Sequence, residues 1–514
     1  MTRLQNGSVW EFSDRSSTRL PAGEHAFDCV VIGAGITGLT SALLLARQGL
    51  SVAVMESQAS EWGETLRTTA HLTQMLDGGL HKLVDQLGQS DARILMAGHR
   101  RAIDFIVKTS SEASCEQCVQ SIDGLLIART PEQVEDLNKE YEAARALQLD
   151  AHKLQSDVPL RGVMGMKVTN QAALDAGKYM TALMRLVTES GATVFTDTRA
   201  EKVSEDDGAC LVQCEDAQIR SKHVVAATHS SIVNTFALHT RTVPNRTYVI
   251  AVPMPAGFVK ALMWDMDEPY HYVRPAQVNN QAMLIVGGED HRVGEDTSPE
   301  DRYTRLAEFA QEHVGTRDVR FRWSGQILEP VDSLPYIGRA PHHKNVYVAT
   351  GFSGNGITGG TLAALTICEL VSGQETELHR VVKASRTLPL GAVTSYARHN
   401  IDVAKHVVKD HFGKTKALEN IPLQSGAIVE HAGKKLAVYR DERGSVKAVS
   451  AICTHLGCVV AWNQAETTWD CPCHGSRFDC EGRVLNGPAT TDLQGVALDE
   501  LTDEEEAPAG LVVA

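Results

Sequence analysis

The chain has no apolar stretch long enough to cross a membrane and no excess of basic residues. A membrane-spanning helix needs about 20 consecutive apolar residues, and no run of that length occurs in the 514 residues. Lys and Arg number 49 against 64 Asp and Glu, which gives a net charge of −15. Binding of nucleic acid requires a basic surface. We therefore predict neither a transmembrane segment nor a nucleic-acid partner.

The first residues also lack the features of an export signal. Residues 1–27 are mostly polar, with no apolar core after the early Arg3 and no twin-arginine pair. We expect a polar leader and a cytoplasmic protein. The eleven cysteines do not suggest a disulfide framework in a chain of this length. Five of them nevertheless fall between Cys453 and Cys480, and that clustering requires an explanation.

Two short motifs near the end of the chain combine cysteine with histidine. Two thiolates and two imidazoles at such spacing can hold either a zinc ion or a [2Fe–2S] cluster. Each motif carries an extra cysteine, Cys458 or Cys473, and the flanking segments alternate like short β-strands. These features favour the iron–sulfur cluster over zinc. The four candidate metal ligands are Cys453, His455, Cys471 and His474.

The two motifs, CTHLGC and CPCHGS, resemble those of the Rieske proteins of cytochrome bc complexes. The resemblance implies that the two cysteine ligands bind one iron, that the two histidines bind the other, and that Cys458 and Cys473 form a disulfide. It also implies that Ser476 donates a hydrogen bond to a bridging sulfide. Phe478 stands where the family often has tyrosine. One hydroxyl donor to sulfur is then missing, so we expect a reduction potential below the respiratory values.

The N-terminal half carries the sequence pattern of a dinucleotide site. A short apolar strand leads into Gly33, Gly35 and Gly38, a helical pattern follows, and Glu56 ends the next strand. The glycines permit a tight turn, close approach of a pyrophosphate and packing of helix on strand. Glu56 is placed to bind ribose hydroxyls. This pattern alone fits either FAD or NAD.

A second glycine-rich segment, residues 351–360, and the segment PVDSLPYIGR favour FAD. Both resemble C-terminal segments of the glycine oxidase/D-amino-acid oxidase superfamily, and the resemblance extends over about residues 28–375. It implies that the segment after Glu56 passes beside the flavin ring. The further FAD-contacting residues that it implies are Arg67, Thr68, Thr69, Gly351, Gly354, Gly356 and Ile357.

These patterns and resemblances together predict the fold class. We expect an α/β, Rossmann-like FAD-binding domain of the D-amino-acid oxidase type, an α+β substrate domain, and an all-β Rieske domain. The predicted domains are a leader (1–27), an FAD-dependent oxidoreductase (28–376) with substrate segments at about 78–150 and 243–320, a linker (377–418) and a Rieske domain (419–514).

The predicted catalytic residues are His71, Tyr272 and Arg274. A histidine in the position of His71 is covalently bonded to flavin in some superfamily members; a hydrogen-bonding or packing role is the alternative. Superfamily members clamp a substrate carboxylate with Arg and Tyr, and a guanidinium suits that task. Arg274 and Tyr272 are our candidates, with Arg246 and Tyr248 on an earlier strand.

The predicted function is oxidation of a small amine or amino acid at the flavin, with electrons leaving singly through the cluster. The external acceptor would be a ferredoxin, a cytochrome or a quinone-linked protein. Two alternatives remain: an electron-transfer component that feeds a partner oxygenase, and a redox sensor. The sequence shows neither a second GxGxxG motif for a self-contained reductase nor a convincing mononuclear iron site for an oxygenase.

Overall fold

The computed structural model describes residues 4–12, 18–58, 63–233, 238–295, 299–411 and 417–497. Within this part of the chain no helix is long and apolar enough to span a membrane. The α-helices are α1 (Ile36–Arg47), α2 (Leu80–Glu112), α3 (Pro131–Ala146), α4 (Ala176–Glu189), α5 (Pro299–His313), α6 (Gly356–Val371), α7 (Glu377–Val382) and α8 (Leu390–His411).

The strands form four sheets. Their bounds, in chain order, are β1 (Gln5–Asn6), β2 (Gly23–Ile32), β3 (Val52–Met55), β4 (His71–Leu72), β5 (Val119–Ala128), β6 (Ala151–Leu154), β7 (Met164–Leu174), β8 (Thr193–Phe195), β9 (Lys202–Asp206), β10 (Ala209–Gln213), β11 (Ala217–Ala226), β12 (Thr242–Pro253), β13 (Leu262–Asp265), β14 (His271–Val278), β15 (Gln281–Arg292), β16 (Phe321–Pro330), β17 (Tyr336–Arg339), β18 (Val346–Thr350), β19 (Ser425–His431), β20 (Lys434–Arg440), β21 (Val446–Ser450), β22 (Ala461–Asn463), β23 (Thr468–Asp470), β24 (Arg477–Asp479) and β25 (Val484–Asn486).

The first sheet has the order β17-β18-β11-β2-β3-β8. Strands β18, β11, β2, β3 and β8 run parallel, as expected when helices connect them. Their side chains are buried on both faces, which explains the continuous apolar run of β2. The loops at the carboxyl ends of the strands therefore meet along one edge of the sheet, where α/β proteins bind ligands.

The second sheet has the order β1-β16-β12-β15-β14-β13-β5-β7-β4, with β6 paired to β7. It extends beyond the predicted substrate segments, 78–150 and 243–320, because β7 pairs with β5 and β16 pairs with β12. The segment predicted as a leader also reaches it: β1 pairs with β16, and Trp10 is buried. Within that leader, residues 1–3 and 13–17 lie outside the described ranges.

Two small antiparallel sheets, β19 to β21 and β22 to β25, form the C-terminal unit. Trp469 and Phe478 pair across β23 and β24, and both side chains are fully buried. Their packing gives this short-stranded unit a core of its own. Residues 498–514, the end of the predicted 419–514 domain, lie outside the described part of the chain.

Helices α7 and α8 occupy most of the segment predicted as a linker, 377–418. On one side of α8, Asn400 Nδ2 donates to the Thr240 carbonyl at 3.1 Å. On the other side, Val403 packs in the core of the C-terminal unit. Helix α8 therefore packs between the C-terminal unit and the turn that leads into the second sheet, and it connects the two.

Candidate functional site

A long cavity follows the carboxyl edge of the first sheet, with about 1910 Å³ of empty space including its mouth. Gly33 enters the turn after β2 with φ +98°, and a Cβ there would overlap the Ala227 carbonyl. Gly38 lies so close to Gly33 that any side chain would overlap its backbone. Ala34 N–H donates to Glu56 Oε2 at 2.9 Å, although burial raises the pKa of that carboxyl. The turn is thus shaped for close approach of a pyrophosphate.

Most residues predicted to contact FAD form the walls of this cavity. They are Gly33, Gly35, Glu56, Arg67, Thr68, Thr69, Gly354, Gly356 and Ile357. Gly38 and Gly351 are not among the residues that line the cavity. Gly351 has φ +76° and packs against Pro330, so it shapes the turn into α6. The open space and its glycine-lined ends fit a bound dinucleotide.

His71 and Tyr272 face the cavity together with Trp264. The His71 ring is 5.1 Å from the Trp264 ring and 5.6 Å from the Tyr272 ring, measured between centroids. His71 Nδ1 lies 3.1 Å from Thr69 Oγ1, whereas no residue in the described part of the chain hydrogen-bonds to its buried Nε2. Burial, followed by the charge of Arg274, holds the pKa of His71 well below its usual value. His71 is therefore a neutral imidazole at neutral pH.

Arg274 does not serve as a carboxylate clamp, and this part of the prediction needs correction. Its Nη1 donates to the carbonyls of Thr69, Ala70 and Leu174 at 2.8 to 3.0 Å. The guanidinium is buried beside the ring of Trp10. Since these backbone carbonyls take its donors, Arg274 fixes the segment that leads to His71. The alternative candidates are also engaged: Arg246 is fully buried in ion pairs, and the Tyr248 hydroxyl contacts His291.

The predicted cluster ligands converge in the C-terminal unit. Cys453 and Cys471 are free thiols, and their sulfurs lie within hydrogen-bonding reach of each other. The rings of His455 and His474 are 5.1 Å apart. His455 Nε2 and both ring nitrogens of His474 are buried and have no hydrogen-bond partner among the described residues, which fits ligands of a bound metal group. This donor set fits a [2Fe–2S] cluster.

The loops around these ligands are held in place by covalent and hydrogen bonds. A disulfide joins Cys458 to Cys473. Ser476 contacts the Cys453 sulfur, and Ser476 Oγ accepts the Ala489 N–H at 3.0 Å. Phe478, fully buried, offers no hydroxyl to the site. A second close pair of cysteines, Cys115 and Cys118, lies just before β5.

His239 connects the flavoprotein part of the chain to the two histidines predicted as cluster ligands. It lies on the 3₁₀ turn Leu238–Arg241, just before β12. Its ring lies edge-on to both ligand rings, with centroids 4.5 Å from His455 and 4.7 Å from His474. The histidine end of the predicted cluster therefore faces the flavoprotein domain.

A buried ion-pair network fixes this arrangement. Arg246 on β12 pairs with Glu466 of the C-terminal unit, and Glu466 also pairs with Arg477. Asn486 Nδ2 donates to Glu64 Oε1 at 2.9 Å. The Arg246 charge lowers the pKa of Glu64, and Arg246 with Arg477 lowers that of Glu466 to about 2. Both carboxylates are thus charged and compensated across the interface.

Strand β25 and the loop that follows it close the cavity from the C-terminal side. Val484, Asn486, Gly487 and Ala489 form part of the same wall as the flavin motif. The sequence analysis missed His239, Glu64 and Glu466, because single residues in unremarkable segments carry no motif. It also missed Asp77, which lines the cavity.

Comparison with known proteins agrees with this geometry. A family model described as FAD dependent oxidoreductase (DAO) matches residues 28–370, and a Rieske [2Fe-2S] domain model matches residues 411–497. The chain is 29% identical to YhfW of Bacillus subtilis (strain 168), named as a Rieske 2Fe-2S iron-sulfur protein, over 496 residues; these are 94% of this chain and 97% of YhfW.

Two further likenesses each concern one part of the chain. The Arabidopsis thaliana chloroplast cytochrome b6-f complex iron-sulfur subunit is 50% identical over 58 residues, 11% of this chain and 25% of that protein. Glycine oxidase from Geobacillus kaustophilus superposes with a TM-score of 0.60 at 18% identity, covering 71% of this chain and 100% of that one. The predicted fold class and the predicted cofactors, FAD and a [2Fe–2S] cluster, are confirmed.

Proposed function

Because this chain belongs to the family of FAD dependent oxidoreductases and ends in a Rieske [2Fe–2S] domain, we propose that it oxidises an amine or amino acid and delivers the electrons singly to an external acceptor. The contact of His239 with both ligand histidines carries the proposal. It joins the histidine end of the cluster site directly to the flavoprotein domain. When bound, FAD supplies two-electron oxidation of a C–N bond, and the cluster supplies one-electron transfer.

The donor class is supported by the solved structures of similar fold. They include glycine oxidase and an L-amino acid deaminase from Proteus vulgaris. An oxidase that reduces O₂ at its flavin needs no cluster, so the attached Rieske domain favours a dehydrogenase. The acceptor would be a ferredoxin, a cytochrome or a quinone-linked protein.

His71 is the proposed proton acceptor for the substrate amine. In the tautomer whose Nδ1 donates to Thr69 Oγ1, the lone pair of Nε2 is free. Its lowered pKa keeps the imidazole neutral at the pH where an ammonium must lose a proton. Trp264 and Tyr272 hold the ring from two sides and would orient the substrate beside it.

The C-terminal unit would shield the site from water. Gly487 and Ala489 cover the cavity, and the buried Arg246–Glu466 pair holds their domain in place. A fixed interface of this kind suits repeated internal electron transfer, because no docking step is required.

Anaerobic addition of a panel of amines and amino acids tests the proposal. A substrate should bleach the visible flavin absorbance, and low-temperature electron paramagnetic resonance should then detect the reduced cluster. In the control variant Cys471→Ser, which lacks a cluster ligand, the flavin should still bleach but cytochrome c should no longer be reduced. A substrate-reduced flavin beside an intact cluster that stays oxidised would show the proposal to be wrong.

A further inference from the structure

One side chain spans the space between the cavity and the cluster loops. Gln326, on β16, lines the cavity. Its Nε2 donates to the Gly475 carbonyl at 2.7 Å in a buried hydrogen bond. Gly475 directly follows His474, which the second cysteine–histidine motif predicts as a ligand. A glutamine of the flavoprotein part therefore connects the cavity wall to the backbone beside a predicted cluster ligand.

The loop of the second cysteine–histidine motif packs closely on the second sheet at this point. Gly475 has φ +80°, and a Cβ there would lie 2.5 Å from Pro244 Cβ and 2.7 Å from Gln326 Nε2. Glycine permits both this backbone conformation and this close approach. Gln326 pairs in register with Arg246, which forms the ion pair with Glu466. Neighbouring residues of the sheet thus hold the C-terminal unit, one by an ion pair and the other by a hydrogen bond to the loop.

The amide of Gln326 has one engaged end and one open end. The side chain is almost completely buried, with 3% of the residue exposed. No residue in the described part of the chain hydrogen-bonds to its buried Oε1. Buried amide oxygens normally accept a hydrogen bond. Because Gln326 lines the cavity, the open end fits a side chain that completes its contacts when the cavity is filled.

Two other contacts reach the cluster site, and neither joins the cavity to a histidine ligand. His239 touches both predicted ligand rings, but it is not among the residues that line the cavity. Ala489 lines the cavity and donates to Ser476 Oγ, which contacts the sulfur of Cys453 on the cysteine side. An iron bound by two neutral imidazoles receives less negative charge than one bound by two thiolates, so an added electron is stabilised there. The Gln326 contact leads to that side.

We propose that Gln326 is the positioning residue for electron transfer from the cavity to the cluster. Its amide holds the Gly475 backbone against the cavity wall and supplies a hydrogen-bonded path to the histidine side of the cluster site. This inference rests on the proposed passage of electrons from FAD to the cluster, and it adds the residue that controls the rate of that passage.

The electrons balance with one class of external acceptor. Oxidation of one amine to the imine leaves two electrons and two protons on FAD. The electrons cross one at a time, and each converts one ferric iron to ferrous iron. The one-electron acceptor oxidises that iron after each transfer, so two acceptor molecules are reduced per amine. The protons pass to water, since the glutamine amide does not titrate.

Flash photolysis of the protein loaded with FAD and cluster measures this step without a substrate. A laser flash with a deazaflavin dye and EDTA reduces the bound flavin, and time-resolved absorbance follows reduction of the cluster. Transfer within the molecule has a rate independent of protein concentration, which separates it from direct reduction of the cluster by the dye. A redox titration monitored by electron paramagnetic resonance gives the midpoint potential of the cluster independently of the flavin.

Gln326→Met keeps the length of the side chain and removes the donor. We expect the intramolecular rate to fall about tenfold or more, as for other outer partners of metal ligands. The midpoint potential should also fall, because a donor near the cluster stabilises its reduced form. The control is Gln171→Met. Gln171 is also buried in the second sheet and donates through Nε2 to the Thr169 carbonyl at 2.7 Å, but it does not line the cavity.

A Gln326→Met protein that retains both cofactors and shows the wild-type rate and potential overturns the inference. Equal losses of stability in Gln326→Met and Gln171→Met, with an unchanged rate per cluster, also overturn it, since they show a structural role alone. If Gln326→Met does not fold, Gln326→Glu, which keeps the shape of the amide, decides by the same two measurements. Slowed transfer in a protein whose flavin no amine bleaches supports the path and rejects amine oxidation. Bleaching by an amine, with normal transfer in Gln326→Met, retains the proposed function and rejects the role of Gln326.

Discussion

The imidazole of His239 lies edge-on to the imidazole of His474, with ring centroids 4.7 Å apart. His239 belongs to the 3₁₀ turn that precedes β12 of the second sheet, and His474 belongs to the second cysteine–histidine motif. The contact identifies the face of the Rieske domain that meets the flavoprotein. The predicted ligands His455 and His474 thus contact His239 of the same polypeptide.

His239→Ala should slow reduction of the cluster by substrate-reduced flavin several-fold. Loss of an edge-to-face ring pair weakens the docked arrangement by about 1 kcal/mol, and it opens the space beside His455 and His474. Stopped-flow absorbance measures the rate of cluster reduction, and electron paramagnetic resonance of the reduced protein checks that the cluster is present. His152→Ala, at an exposed histidine, is the control. An unchanged rate in His239→Ala would remove this residue from the electron path.

Arg246→Met should destabilise the protein by about 3 to 5 kcal/mol, because it removes the buried cation that pairs with both Glu64 and Glu466 and leaves Glu466 with Arg477 alone. The double variant Arg246→Met/Glu466→Met should recover much of this loss, and thermal unfolding measures both. The control is Arg19→Met, since Arg19 pairs with Glu215 on the surface, where a pair contributes about 0 to 1 kcal/mol. Equal losses in the buried and exposed variants would contradict the interface network.

Asp290→Asn should stabilise the ligand-free protein at pH 8 but not at pH 4. Burial, with Glu329 and Asp77 nearby, raises the pKa of Asp290 from 3.8 to about 7, although Thr247 and Tyr270 donate to it. Because the pKa of Asp290 is raised in the folded state, this carboxyl contributes to the free energy of unfolding below about pH 4, and the contribution is lost as the pH rises to about 7. The loss is at most about 4 kcal/mol by linkage. Thermal unfolding across this pH range tests the prediction.

Glu466→Gln is the control, because the pKa of Glu466 is shifted in the opposite direction to that of Asp290. The pKa of Glu466 is lowered to about 2, so its contribution is present above about pH 4.5 and is lost as the pH falls. This variant should therefore be destabilised at pH 8. Parallel stability profiles for the two variants would contradict the assignment of Asp290 as an uncompensated carboxylate.

Arg274→Lys should lower stability and FAD retention while leaving ligand charge preference unchanged. A single ammonium cannot replace a guanidinium that donates to three carbonyls and to Pro275 O, so we expect a loss of about 2 to 4 kcal/mol. Thermal unfolding and the flavin content after gel filtration give the two readings. A variant of normal stability that binds only carboxylate ligands more weakly would restore Arg274 as a clamp.

Local motifs accounted for the cofactor sites. The turn at Gly33 and the predicted ligands Cys453 and His455 come from motifs whose residues are a few positions apart, so the neighbouring sequence fixes their backbone geometry. The fold class followed from the same motifs through the families that they resemble. The domain ranges were harder to predict from the sequence, because β1 and β7 join the second sheet by pairing with strands that are distant in the sequence.

The sequence by itself determined that this chain holds a dinucleotide and an iron–sulfur cluster, because their motifs are local and their chemistry is specific. Only the tertiary structure decided what surrounds them. Arg274 matched the residue type for a carboxylate clamp, yet backbone carbonyls of distant segments take its donors. Asp77 carries no motif, and it lines the cavity only after the chain folds. Whether a charged side chain finds a partner depends on its distance in space from other groups. The spacing of residues along the chain does not give that distance.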